Sequence, residues 1–156
     1  MLLNSTELNE KFMFMAIEQA KKAAQIGEIP VGAVVVENKK IISSAFNRIE
    51  ALKTATAHAE LIAIDLACKK IGNWRLSNCE LFVTLQPCLM CLGAISNSRI
   101  KKIVYSAEKP GMEGYFEREV MREVCFKNNI EIEDGVLRKE SVAILKKFFK
   151  NLRNEC

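Results

Sequence analysis

The only histidine in the chain, His58, lies two residues before Glu60 in the stretch TATAHAEL. Taken alone, a helical imidazole needs no task beyond a hydrogen bond. A second stretch, VTLQPCLMC, sets Cys88 and Cys91 three residues apart behind Pro87. Proline is favourable at the first helical position, which predicts that both thiols sit in the first turn of a helix. There the unpaired N–H groups and the helix dipole favour thiolate over thiol. Two thiolates at this spacing can clamp a metal ion. A lone C-x-x-C is equally compatible with a redox dithiol, half of a four-cysteine zinc ribbon, or chance. No second C-x-x-C completes a ribbon, and no aromatic-rich redox context surrounds this one.

His58 is the one imidazole available as a third ligand. The set His58, Cys88 and Cys91 would leave the fourth tetrahedral position to water, the pattern of a catalytic rather than a structural zinc. Water at such a centre loses a proton far more easily than bulk water, and a nearby base must take that proton and hand it on. Glu60 is the candidate. Residues two apart on an ideal helix point about 200° from each other. His58 and Glu60 can therefore share one pocket only if the helix begins there, with the metal off its end. The joint pattern, H-x-E followed after 26 residues by P-C-x-x-C, is the signature of zinc deaminases.

The elements that must position these groups follow from the apolar pattern. Apolar residues return at three- and four-residue steps from Lys11 to Ala24, predicting an amphipathic helix that ends near Gly27. VGAVVV and KKIISSAF read as a hairpin around ENKK, and AHAELIAIDLACKKI as a helix stopping at Gly72. ELFVTL predicts a strand leading into the Pro87 helix, and KKIVYSA a further strand. After the loop EKPGMEGY come a helix near Phe116–Lys127, a short strand IEIEDG, and a last helix from about Lys139. This alternation predicts an α/β domain with a mixed sheet whose middle strands are buried on both faces.

The 156 residues suit one domain, and 49% hydrophobic with 27% charged residues excludes disorder. A net charge of +4 permits a polyanionic partner without demanding one. No apolar run approaches a membrane span, and the opening MLLNSTELNEKF lacks a secretory pattern, so a reducing cytoplasm is the expected compartment. The six cysteines are then expected as thiols, with Cys68, Cys79 and Cys125 filling the core and Cys156 incidental.

EIPVGAVVV, FNR, TAHAELIAI, NWRL, LFVTLQPCLMCLGAISNSRIKKIVYSA and KKFFKNLR together resemble the bacterial tRNA-specific adenosine deaminases. The resemblance implies a three-layer α/β/α, cytidine deaminase-like fold with a mixed five-stranded sheet. It further implies one zinc per subunit, a homodimer, and conversion of the wobble adenosine of a tRNA anticodon to inosine. His58, Cys88 and Cys91 would bind zinc, and Glu60 would shuttle the proton during attack at C6. Asn47 would hydrogen-bond the flipped base, while Pro30, Val31, Gly32, Ala59 and Pro87 would wall its pocket.

Two departures stand out. The family usually has Glu before Pro-Cys where this chain has Gln86, an exchange expected to tune rather than abolish activity. Lys109 falls near an expected Asp, in a loop reading AEKPGMEGYF. On the last helix Lys146, Lys147, Lys150 and Arg153 run beside Phe148, Phe149 and Leu152 as a basic face, either a solvated surface or a contact for RNA phosphates. An anticodon loop, whose nucleotides can be splayed out, suits a base pocket better than a duplex. The competing readings are a free-base or nucleoside deaminase for guanine or cytosine, and a structural zinc domain that kept the fold without the chemistry.

Overall fold

A computed structural model describes residues 2–155. Its sheet has five strands: β1 (Gly32–Glu37), β2 (Lys40–Phe46), β3 (Cys79–Leu85), β4 (Lys102–Ala107) and β5 (Glu131–Asp134). They lie in the order β2-β1-β3-β4-β5. β1 is antiparallel to both β2 and β3, whereas β3, β4 and β5 are parallel, so the sheet is mixed. The hairpin turns through Asn38 and Lys39, both left-handed with φ of 49° and 62°, as a two-residue loop requires when the strands twist right-handedly.

The alternation of side chains along the strands sorts the core into two layers. Val34, Val36, Phe82 and Val104 face one side and pack on Phe12, Met13, Ala16 and Ile17 of α1 (Ser5–Gln25), with α6 (Arg138–Glu155) alongside. Ala33, Val35, Leu81, Val83, Ile103 and Tyr105 face the other. They meet α3 (Ala59–Ile71), α4 (Leu89–Asn97) and α5 (Gly111–Lys127). This is the three-layer α/β/α arrangement expected from the sequence, and the central strands are buried on both faces.

Several boundaries differ from the sequence reading, each for a local reason. α1 begins at Ser5 rather than near Lys11. Asn4 and Glu7 close a reciprocal capping box ahead of the first apolar repeat, so caps rather than burial hold the first turn. A single-turn helix α2 (Ile49–Leu52) occupies the link between β2 and α3. The predicted loop EKPGMEGY is helical from Gly111 onward. Pro110 is extended at the cap, and Gly111, with φ of 77°, turns the chain straight into α5. Cys79 and Cys125 are core residues as expected, but Cys68 is only half-buried, its thiol donating to the Trp74 carbonyl at 3.6 Å. Cys156 lies outside the described residues. No helix among the described residues is long and apolar enough to cross a membrane.

Candidate metal centre and active site

The predicted ligands come from two helix ends. His58 is the N-cap of α3, extended at φ −74° and ψ 147°, and Cys88 is the N-cap of α4, extended at φ −77° and ψ 171°. Pro87 therefore stands one residue before the cap and not at the first helical position. Because Cys88 is extended, α4 starts at Leu89 and Cys91 takes the third helical place. Both helices still aim their unpaired N–H groups at the cluster.

His58 Nδ1 lies 3.8 Å from the Cys88 sulfur and 3.6 Å from the Cys91 sulfur. All three donor atoms fall within 4.8 Å of one another, so the cluster could coordinate a metal. A tetrahedral zinc, with Zn–S near 2.3 Å and Zn–N near 2.0–2.1 Å, would set N···S separations of about 3.6 Å, so the donor geometry fits that ion.

The electrostatics of these groups are tied together. Hydrogen bonding from Cys91, supplemented by His58, pushes the Cys88 thiol down to about 3 against its desolvation, whereas Cys91, hydrogen-bonded to Cys88 and buried, is pushed far up. The two sulfurs thus share one proton until a cation replaces it. His58 is raised, chiefly by its hydrogen bond to Cys88. Burial pushes the Glu60 carboxyl up to about 7. Glu60 is 3% exposed at the second position of α3, and its Oε2 is buried without a hydrogen-bond partner. A buried, unpaired carboxylate oxygen is costly, and one beside three metal donors has the acidity of a group that exchanges protons near neutral pH.

The neighbouring residues hold these ends in place. Asn47 is buried, and its Oδ1 accepts from the Ala59 N–H at 2.9 Å, satisfying an orphan donor of α3 that His58 leaves uncapped. Its backbone N–H donates to the Val31 carbonyl at 3.1 Å, which ties α3 to the start of β1. The Asn47 amide nitrogen makes no hydrogen bond among the described residues, so it is the end available to a ligand. Pro30, Val31, Ala59 and Pro87 are all buried. Gly32, also expected in the pocket wall, packs closely on α1. A Cβ there would meet the Ala16 carbonyl of α1 at 2.0 Å, on the face of the sheet away from α3 and α4, so packing on α1 requires the glycine.

The predicted basic face divides. Lys146, Lys150 and Arg153 line a groove of about 860 Å³ with Phe149, whose opposite wall is Ile29, Leu85 and the corner Glu108–Pro110. Lys147 lies on the other side of α6, against Lys21 and Gln25 of α1, because a one-residue step rotates a helical side chain by about 100°. Two contacts are not foreseen from the sequence. The Glu28 carboxylate, 3% exposed, accepts from the Ala51 N–H of α2 at 2.8 Å and so pins the segment leading to His58. Lys109 forms a 2.7 Å ion pair with the buried Glu117. Neither carries a local signal, because each partner lies across a turn of the chain.

The donor set and the fold define a deaminase. Residues 8–153 match the family model described as MafB19-like deaminase. The chain belongs to the family of bacterial tRNA-specific adenosine deaminases: it is 43% identical to that of Bacillus subtilis strain 168, over 94% of this chain and 92% of the relative. With that of Aquifex aeolicus strain VF5 it shares 41% identity, over 93% and 96%. A solved structure from work on A-to-I editing by tRNA:A34 deaminases at the wobble position of transfer RNA superposes with a TM-score of 0.75. It is 34% identical, covering 86% of this chain and 99% of that one. A solved guanine deaminase from Nitrosomonas europaea superposes at 0.82, with 26% identity and coverage of 89% and 83%. The backbone is thus shared across substrate classes, while the tRNA-specific relatives match at about 40% identity over nearly the whole chain.

Proposed function

We propose that this chain is a zinc-dependent hydrolytic deaminase that converts adenosine to inosine at the wobble position of a tRNA anticodon, releasing ammonia. The observation that carries the reading is the convergence of one imidazole and two sulfurs beside a buried carboxylate oxygen with no partner. His58, Cys88 and Cys91 would hold the ion, which when bound supplies Lewis-acid activation of water. Glu60 takes a proton from the attacking water and delivers it to N1 of adenine as C6 is attacked. It then takes the proton of the new C6 hydroxyl and passes it to the departing amine as the C6 carbonyl forms, so one water is consumed and one ammonia released for each inosine. The Asn47 amide orients the base, and Pro30, Val31, Ala59 and Pro87 close around it.

The basic rim of the groove, Lys146, Lys150 and Arg153, supports a polynucleotide substrate over a free base, since a free base has no phosphates for it to meet. Exposed apolar side chains on the first turns of α4 and α5, namely Leu89, Met90, Met112, Tyr115 and Phe116, support a homodimer in which a second copy covers them. The whole chain acts as one catalytic unit. The five described cysteines are free thiols, in keeping with a reducing cytoplasm.

The test is ammonia release from an anticodon stem-loop carrying adenosine, run beside guanine, cytosine and cytidine, with the RNA sequenced for inosine. Turnover of RNA with none of the free bases is expected. The reverse result would move the protein to the free-base deaminases.

A further inference from the structure

Gln86 is 1% exposed, directly before Pro87 and the Cys88 cap of α4. Its backbone N–H donates to the Ala107 carbonyl at the end of β4 at 2.8 Å. Its side chain uses both ends at once. Nε2 donates to the Gly114 carbonyl in the first turns of α5 at 3.0 Å, and Oε1 accepts from the Lys109 N–H at 3.3 Å. The partners fix the orientation of the amide, because a carbonyl needs the donor and an N–H needs the acceptor. A carboxylate could serve only one of them.

The segment that Gln86 holds is folded tightly on itself. A Cβ on Gly114 would meet the Lys109 carbonyl oxygen at 2.1 Å, so α5 lies flush on the Lys109 backbone. The Lys109 ammonium reaches along the helix to Glu117. This corner borders both functional regions. Glu108, Lys109 and Pro110 line the basic groove, while Gln86, which holds the Lys109 backbone, stands two residues before the metal donor Cys88.

We propose that Gln86 is a positioning residue that fixes the Lys109–Pro110 corner as the shared wall of the metal site and the groove, and thereby sets the affinity for the RNA strand. The inference rests on the polynucleotide reading of the site. Glutamine supplies the donor that the Gly114 carbonyl at the start of α5 requires.

The experiment compares Gln86→Glu, which keeps the shape and the acceptor, with Gln86→Met, which keeps the bulk without charge or hydrogen bonds. In both, bound metal is expected to stay at the wild-type level and kcat within about twofold, while KM for the stem-loop rises by about tenfold. An unchanged KM in both variants would overturn the proposal. So would an effect confined to Gln86→Glu, since that would report charge rather than position. If either variant loses metal or fails to fold, amide exchange of the wild-type protein decides. The Lys109 N–H should be protected, and exchange at the rate of a free peptide would overturn the lock. Wild-type protein that leaves RNA untouched would refute the proposed function, whereas the exchange result would still report on Gln86.

Discussion

The helix ends that carry the metal donors and the corner beside them are built by different means. Around His58 and Cys91 the backbone is set by buried apolar contact: Ala59, Ala63, Cys91 and Ile95 have no exposed surface, and β1 and β3 run beneath them. The corner from Glu108 to Arg118 is held by polar side chains, through Gln86, the Lys109–Glu117 pair, and Glu108 with Arg118 and Arg138. Close-packed apolar contacts tolerate little displacement, which suits groups that must meet one ion. A corner held by a few polar contacts can yield without moving those groups.

The metal end is the more sensitive of the two regions. His58→Ala should lose bound metal and all turnover, whereas Glu60→Gln should keep the metal, measured by elemental analysis, and lower kcat by about 10³–10⁴-fold. Equal loss of metal in both would erase the distinction between ligand and proton carrier. Substitutions on the groove should instead leave kcat alone. Lys146→Ala with Lys150→Ala should weaken stem-loop binding by about tenfold at low salt and lower the slope of log affinity against log salt by about 1.4, while Lys147→Ala changes neither. An equal effect at Lys147 would mean that RNA reads the whole of α6.

Smaller effects sharpen the same contrast in stability. The Glu60 carboxyl is raised to about 7, so folding favours its protonated form and the ionised form is penalised. In metal-free protein Glu60→Gln should therefore stabilise by on the order of 3 kcal/mol at pH 8 and by almost nothing at pH 4, read from urea unfolding at both. A gain independent of pH would reject a buried, ionising carboxyl. Gly32→Ala should destabilise by about 1–3 kcal/mol through its clash with α1, with unchanged turnover per folded molecule. A selective loss of turnover would place Gly32 in the pocket wall as well.

The amino-acid order by itself determined the donor set, the three layers and most elements, because these depend on residue type and local spacing. A lone imidazole before an apolar helix, a paired thiol after a buried strand and a two-residue alternation are visible over a few positions. Tertiary structure decided what depends on partners far along the chain. Gln86 meets Gly114 across 28 residues only because β3 and β4 are neighbours in the sheet. Gly32 is fixed by a helix whose contacting residues precede it by twelve to sixteen positions, and Lys146 is separated from Lys147 by the angle of one helical step. Periodicity tells a side chain which face of its own element to take, but only packing of the elements decides what that face meets.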